Sequence, residues 1–255
     1  MPDLNVTLIQ ADLAWEDIDA NLAAFDKRIN DLRDETHLIV LPEMFTTGFS
    51  MNAPALAEDM QGRSVSWLRE TARRRAVDVV GGVLLEDHGR YVNRLLWASA
   101  DGRLQWYDKR HLLAIAGEHR MYTPGQQKLT VTLRGWLIRP FICYDLRFPV
   151  WLRNLDRPPY DLALFIANWP RSRAYHWRAL LAARAIENQC YVIGVNRIGT
   201  DGNGNAHSGD SSVIDPLGKI LFQKKDAPAV HTTTLHYASL ETCRQTFPVL
   251  VDADR

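Results

Sequence analysis

Glu43, Lys109 and Cys143 are the side chains of this sequence whose types could together cleave a carbon–nitrogen bond. Each follows a short segment with the pattern of a β-strand, and open α/β sheets place their chemistry at the carboxyl ends of such strands. A thiolate can attack a carbonyl carbon after a carboxylate has removed the thiol proton. An ammonium group can hold the oxyanion that forms, and the carboxylate can return a proton to the leaving amine. The three residue types therefore suggest hydrolysis of an amide-type bond.

Each of these residues also has a plainer structural interpretation. A lone cysteine at the end of an apolar strand is usually a small buried hydrophobe. Most glutamates and lysines face water, and Lys109 lies in a Lys-Arg-His cluster. Because spacing along a sequence does not prove proximity in space, the chemistry remains a hypothesis at this point.

The elements next to Cys143 and Glu43 predict how these side chains are held. The apolar run 136–142 predicts one buried strand that ends at Cys143, and residues 150–155 could open a helix. We therefore expect Cys143 on a sharp strand-to-helix turn. Residues 17–32 have the apolar spacing of an amphipathic helix, and the apolar run 37–41 follows just before Glu43. A strand, a helix and a buried strand in this order favour a parallel sheet covered on both faces.

The rest of the sequence predicts further helices and a mixed sheet. Short strands separated by glycine turns are typical of antiparallel hairpins, which we expect beside the parallel strands. The predicted helices cover residues 62–77, 176–188 and 237–246. The predicted strands cover residues 4–9, 79–85, 91–99, 104–107, 129–133, 161–167, 191–195, 211–214, 219–223 and 230–235. We expect loops over residues 114–123 and 199–209.

Composition narrows the class of protein. The chain has 255 residues, of which 30 are basic and 30 acidic, so nothing favours nucleic acid or an anionic membrane as a partner. We find no linker or internal repeat and expect one domain over residues 1–255. No apolar stretch approaches the ~20 residues of a membrane helix, and the N-terminus lacks the pattern of a signal peptide. Three widely spaced cysteines do not make a disulfide framework. We expect a cytoplasmic protein with reduced thiols.

Several motifs carry a resemblance to the nitrilase superfamily, the carbon–nitrogen hydrolases with a Glu-Lys-Cys triad. They run in the same order over nearly the whole chain, from about residue 4 to 235. The matching segments are Leu41-Pro42-Glu43-Met44-Phe45, Tyr107-Asp108-Lys109-Arg110-His111-Leu112, Ile142-Cys143-Tyr144-Asp145-Leu146-Arg147-Phe148-Pro149, His176-Trp177, Arg184-Ala185-Ile186-Glu187-Asn188 and Ser208-Gly209-Asp210-Ser211.

The resemblance implies an α/β fold, a four-layer α-β-β-α sandwich with mixed sheets, and no metal or organic cofactor. It implies Glu43 as general base, Cys143 as nucleophile, and Lys109 with the Tyr144 backbone N–H as oxyanion donors. Glu118 matches a second glutamate that supports the lysine and positions the substrate. Family members also pair through helices near the nucleophile, so we expect a homodimer or a higher homo-oligomer.

Within the superfamily, the chain is most similar to bacterial ω-amidases, which hydrolyse the terminal amide of 2-oxoglutaramate or 2-oxosuccinamate. The segments that carry this similarity are 168–173, 186–190 and 194–197. An anionic keto-acid substrate needs a cation, and arginine can bind a carboxylate through two hydrogen bonds. The residues that we expect around the substrate are Phe49, Arg147, Trp169, Arg171 and Arg173. Solvated loop arginines would be an equally ordinary explanation of Arg171 and Arg173.

Other activities stay open from the sequence. A nitrilase or an N-carbamoyl amidase would use the same triad, and a catalytically silent scaffold could keep the fold, although no triad member is lost here. A zinc site from His111, His119 and Cys143 does not have the usual ligand spacing.

Overall fold

The computed structural model describes residues 1–253, which form thirteen β-strands and seven α-helices. The strands are β1 (Leu4–Gln10), β2 (Leu38–Val40), β3 (Asp78–Asp87), β4 (Arg90–Ala98), β5 (Leu104–Asp108), β6 (Val131–Leu133), β7 (Trp136–Ile142), β8 (Leu162–Ala167), β9 (Tyr191–Asn196), β10 (Ile198–Thr200), β11 (Ala206–Ile214), β12 (Ile220–Lys225) and β13 (Ala229–Leu235). The helices are α1 (Ile18–Asn30), α2 (Ala53–Leu56), α3 (Arg63–Arg75), α4 (Glu118–Met121), α5 (Pro149–Leu152), α6 (Ala174–Asn188) and α7 (Tyr237–Thr246).

The strands form two mixed sheets, as the sequence predicts. The first sheet has the order β13-β1-β2-β3-β4-β5, and the second has the order β10-β11-β9-β8-β7-β6 with β12 paired to β11. Parallel pairing joins β1 to β2 and β2 to β3 in the first sheet, and β7 to β8 and β8 to β9 in the second. Each sheet thus has a parallel centre, whose strand ends can present reactive groups at one edge.

The layers are α-β-β-α, which confirms the predicted fold class. Apolar side chains of both sheets, including Leu8, Trp97 and Phe141, share one buried cluster between the sheets. A second cluster joins the outer face of the first sheet to α1 and α3. Helices α6 and α7 cover the outer face of the second sheet, where Trp177 and Leu240 are fully buried. Each Å² of apolar surface that is buried contributes about 25 cal/mol of free energy, and this contribution holds such layers together.

The structure differs from the predicted elements mainly in polar segments. The predicted loop 199–209 contains the last two residues of β10 and the first four of β11, which pair as a hairpin with Gly199 opposite His207. The polar composition of β11 hides this strand from sequence analysis. Its polar side chains can be buried because they form hydrogen bonds, such as that from Ser208 Oγ to Asp210. The predicted loop 114–123 contains a turn of 3₁₀-helix and the short helix α4, while the helix predicted over 150–155 is only the single turn α5.

The short connections after the strands position the site. Glu43 lies three residues after Val40, Lys109 follows β5 directly, and Cys143 follows β7 directly. No helix within residues 1–253 is long and apolar enough to cross a bilayer.

Candidate active site

Glu43 is a fully buried carboxylate that is held from both sheets. Its Oε1 accepts hydrogen bonds from Lys109 Nζ at 3.0 Å and from Asn93 Nδ2 at 2.8 Å. Its Oε2 accepts the backbone N–H of Asn168, which follows β8 of the second sheet, at 2.7 Å. Close packing also fixes its backbone, since a Cβ on Gly82 would stand 2.8 Å from the Glu43 Cα. Both oxygens are therefore oriented before any substrate arrives.

Lys109 is an ammonium group enclosed by two carboxylates. Its Nζ lies 3.0 Å from Glu43 Oε1 and 2.9 Å from Glu118 Oε1, and 4.9 Å from the centre of the Phe49 ring. Burial opposes the charge, but Glu118, Glu43 and Cys143 together raise the pKa of Lys109 well above its usual value. The side chain thus stays positively charged in the interior, as an oxyanion donor must.

Glu118 begins α4 and completes this buried ion cluster. Its Oε1 also accepts a longer bond of 3.3 Å from Asn93 Nδ2, while its Oε2 accepts the backbone N–H of Leu113. Burial raises the pKa of Glu118, and the neighbouring Lys109 charge acts in the opposite direction. Glu118 therefore ties the segment before α4 to the lysine.

Cys143 lies at the sharp turn that the sequence predicts, in a left-handed backbone conformation with φ of 44°. This conformation is uncommon for a residue with a Cβ, and such strain often occurs at functional sites. The side chain is 9% exposed, and Tyr144 follows in the same 3₁₀ turn. Burial raises the pKa of the Cys143 thiol well above its usual value; Glu43 adds to the increase and Lys109 opposes it. The thiol thus needs a base to become a nucleophile.

Asp145 holds the turn that presents Cys143. Its Oδ2 accepts the Ile142 backbone N–H at 3.1 Å and the Tyr107 hydroxyl at 2.7 Å. Its Oδ1 accepts the His111 backbone N–H at 2.9 Å and lies 2.8 Å from His111 Nδ1. The carboxylate connects the turn of Cys143 to residues on both sides of Lys109, namely Tyr107 and His111, so it fixes the two reactive groups relative to each other.

A cavity of about 600 Å³ opens onto this cluster. Cys143, Lys109, Phe49, Asn168 and Arg173 line it. The remaining lining comes from the segments 15–16, 50–52, 113–116 and 201–207 and from Pro170. Its size is in the range of small-molecule sites, which also combine apolar walls with a few convergent polar groups.

The structure places the other predicted substrate residues differently. Trp169 and Arg147 are not among the cavity-lining residues; the Trp169 indole is 3% exposed, packs against Trp177, and lies 4.7 Å from the Arg147 guanidinium. Arg171 is also absent from the lining and pairs with Asp226 at the surface. Of the three predicted arginines, Arg173 alone reaches the cavity, because the chain turns between positions 171 and 173.

Several residues of the site escaped sequence analysis. Asn93 interrupts the apolar pattern of β4, and this interruption is the only signal of its role in the sequence. Asn168 donates both its backbone N–H and its side-chain amide to Glu43. Trp15, Glu16 and His207 line the cavity from segments that carry no recognised motif. The place of such residues in the site becomes visible only in the tertiary structure, where the two sheets pack together.

The arrangement can support acyl transfer. Glu43 and Lys109 lie close enough to Cys143 for their charges to shift the pKa of its thiol. A carboxylate beside the thiol can accept its proton, and a fixed ammonium can stabilise a tetrahedral oxyanion in a site that excludes water.

Comparison with known proteins identifies the family of the chain. The family model of carbon–nitrogen hydrolases matches residues 5–245. The chain is 47% identical to the omega-amidase YafV of Escherichia coli (strain K12) over 100% of this chain and 98% of that protein. It is 31% identical to a 2-oxoglutaramate amidase of Bacillus subtilis, over 97% of this chain and 96% of that protein.

Solved structures show the same fold. A CN-hydrolase superfamily protein from Xanthomonas campestris, which carries an arsenic adduct in its active site, superposes with a TM-score of 0.98 at 45% identity. That alignment covers 100% of this chain and 98% of the other. Nit3 of Saccharomyces cerevisiae, from the nitrilase superfamily, superposes with a TM-score of 0.88 at 26% identity over 97% and 95% of the two chains. The chain therefore belongs to the carbon–nitrogen hydrolase family and is an amidase of the nitrilase superfamily.

Proposed function

We propose that the enzyme hydrolyses the terminal amide of a small 2-oxo dicarboxylic acid monoamide to the acid and ammonia. The observation that carries this proposal is the presence of Cys143 and Arg173 in one cavity. A thiol and a guanidinium that share a small cavity suit a substrate with an amide at one end and a carboxylate at the other. The names of the omega-amidase and 2-oxoglutaramate amidase relatives support the same substrate class.

The reaction begins with proton transfer from the Cys143 thiol to Glu43. Sγ then forms a bond to the amide carbon, and the carbonyl oxygen becomes an oxyanion held by Lys109 Nζ and the Tyr144 backbone N–H. Glu43 returns its proton to the amide nitrogen as the carbon–nitrogen bond breaks and ammonia leaves. A thioester between Cys143 and the acyl group remains.

Water completes the cycle. Glu43 accepts a proton from a water molecule whose oxygen attacks the thioester carbon, and the same two donors hold the second oxyanion. The oxyanion then re-forms the carbonyl as the carbon–sulfur bond breaks, Glu43 passes the proton from water to the departing Cys143 sulfur, and the acid is released. Glu118 supports this sequence by keeping Lys109 in place through the bond of 2.9 Å.

The role of Arg173 can be tested by comparing a 2-oxo-ω-amide acid with its methyl ester. We expect the wild type to prefer the acid by a factor on the order of 10² in kcat/KM, because the ester cannot form the charge-assisted hydrogen bond with Arg173. Arg173→Leu should remove most of this preference, in kcat as well as KM, because binding at the remote end orients the carbonyl. Equal kcat/KM for acid and ester in the wild type would contradict the proposed substrate class.

We also propose that the enzyme is a cytoplasmic homodimer or higher homo-oligomer. Val150 and Tyr175, on the helices nearest the nucleophile, are 87% and 72% exposed, and Ile186 of α6 is 54% exposed. Apolar groups in such positions suit a partner surface. All three cysteines are free thiols, which suits a reducing compartment. Light scattering at micromolar concentration tests the assembly, and a fully active monomer would contradict it.

A further inference from the structure

The hydrogen bonds to Glu43 occupy its two carboxylate oxygens unequally. Oε1 accepts two bonds, from Lys109 Nζ at 3.0 Å and from Asn93 Nδ2 at 2.8 Å. Within the described residues, Oε2 accepts only the backbone N–H of Asn168, at 2.7 Å. A carboxylate has about four lone-pair sites, which is about two for each oxygen. Oε1 is therefore fully used, whereas Oε2 can accept one more hydrogen without losing a bond.

The oxygen that keeps a free lone pair lies on the side of the nucleophile. Burial is the main reason why the pKa of the Cys143 thiol is raised, and the backbone N–H of Asn168 is among the groups that oppose this rise. The same N–H donates to Glu43 Oε2. Asn168 and Cys143 also line the same cavity. Oε2 and the Cys143 sulfur are therefore neighbours of one backbone donor.

Asn93 occupies Oε1 from a position where it cannot touch a substrate. Its side chain is fully buried on β4 and does not line the cavity. Its Nδ2 lies between Glu43 Oε1 and Glu118 Oε1, and carboxylates accept hydrogen bonds but do not donate them, so the N–H groups must face both. Its Oδ1 then has no partner within residues 1–253, and a buried polar atom left in this way calls for an explanation.

We propose that Glu43 exchanges protons with Cys143 through Oε2, and that Asn93 is a positioning residue that keeps Oε1 turned away from the sulfur. Asn93 and Lys109 hold one oxygen and Asn168 holds the other, so the carboxylate cannot rotate without breaking hydrogen bonds. Misplacement of a reacting group by about 1 Å can cost on the order of 10² in rate. This inference rests on the proposed mechanism and deepens it.

The test measures the rate at which iodoacetamide alkylates Cys143 near neutral pH, because this reaction needs the thiolate but no amide substrate. Asn93→Asp keeps the shape of the side chain and replaces both N–H donors by acceptors, while Asn93→Leu removes the donors without adding a charge. We expect both variants to lower the alkylation rate and kcat by a factor on the order of 10–10², with KM changed by less than about twofold. In alkaline solution the loss of alkylation should shrink, since hydroxide can then remove the thiol proton.

Asn154→Ala is the matched control for the loss of a buried asparagine. The Asn154 amide donates to the carbonyl groups of Tyr160 and Asn188 and does not line the cavity. Its removal should lower the stability to urea and leave alkylation and kcat unchanged. The backbone carbonyl of Asn93 accepts the Lys109 backbone N–H at 2.9 Å, and the side-chain variants keep this bond.

The outcomes separate the inference from the mechanism on which it rests. Wild-type alkylation in both Asn93 variants would overturn the inference. Faster alkylation together with a loss of stability would also overturn it, because loosening of the structure exposes the buried thiol and Asn93 would then have only a structural role. Glu43→Gln should slow alkylation at least as much as either Asn93 variant, and wild-type alkylation in Glu43→Gln would mean that the proposed mechanism itself fails.

Discussion

The proposed catalytic cluster around Glu43, Lys109 and Glu118 and the part of the cavity wall that contains Arg173 and His207 are built on opposite principles. In the cluster, Glu43, Lys109 and Glu118 are buried, and all three form ion pairs within it at 2.9–3.0 Å. In the wall, Arg173 and His207 enter none of the ion pairs of the described chain, whereas Arg171 pairs with Asp226. In the proposed mechanism, the cluster is preorganised to stabilise charge that develops during reaction. In the wall, the charge of Arg173 is therefore not consumed by an ion pair within the described residues.

The largest expected effect tests whether the cluster depends on a single nucleophile. Cys143→Ala should lower kcat by a factor on the order of 10⁴–10⁶, because no other group can form the thioester. Steady-state ammonia release measures this loss. Cys243→Ser is the control, since Cys243 lies on α7 and does not line the cavity. Substantial turnover by Cys143→Ala would end the covalent mechanism.

The next effect tests the preorganised charge. Lys109→Met should lower kcat by a factor on the order of 10²–10³, since one oxyanion donor is lost, and by more if Glu43 also loses its orientation. Without the ammonium group, the buried carboxylates of Glu43 and Glu118 are linked only by the hydrogen bonds that both accept from Asn93 Nδ2. A pre-steady-state measurement of acylation would locate the loss, and normal acylation in Lys109→Met would contradict the assigned donor.

A smaller effect concerns the pH dependence of stability at the wall. The pKa of His207 falls from 6.5 to about 4 on folding, so the unfolded chain binds the proton more tightly. His207 therefore contributes stability above pH 6.5 that is lost as the pH falls toward 4, by an amount on the order of 1–3 kcal/mol. Urea unfolding of the wild type and of His207→Gln at several pH values measures the difference. Parallel curves for the two proteins would contradict a depressed pKa.

The smallest effect is expected for substitution of Arg171, which does not line the cavity. Arg171→Leu should leave kcat/KM for the acid and for its methyl ester unchanged within about twofold. Because its ion pair with Asp226 is exposed, the stability cost should be at most about 1 kcal/mol. Arg173→Leu, measured beside it, is the matched comparison. A loss of acid preference in Arg171→Leu would show that the two arginines share the carboxylate.

The sequence predicted which residues lie together in the cluster better than it predicted which residues line the wall. Glu43, Lys109 and Cys143 follow strands, and strand periodicity is visible locally, so their convergence at one edge could be expected. Asn93 and Asn168 could not be assigned in the same way, because a single asparagine inside a strand or just after one has no pattern of its own. Their roles depend on hydrogen bonds to Glu43 across 50 and 125 positions of sequence.

By itself, the sequence determined the family and the mixed α/β architecture, because both depend on local patterns and on motifs short enough to be recognised. Only the tertiary structure decided which polar groups remain available to a substrate. Arg171 is neutralised by Asp226, 55 positions away, while Arg173 faces the cavity two residues later. His207 reaches the same cavity through the hairpin of β10 and β11. Long-range packing determines which polar groups are available to a substrate, and such packing produces no periodic pattern in the sequence.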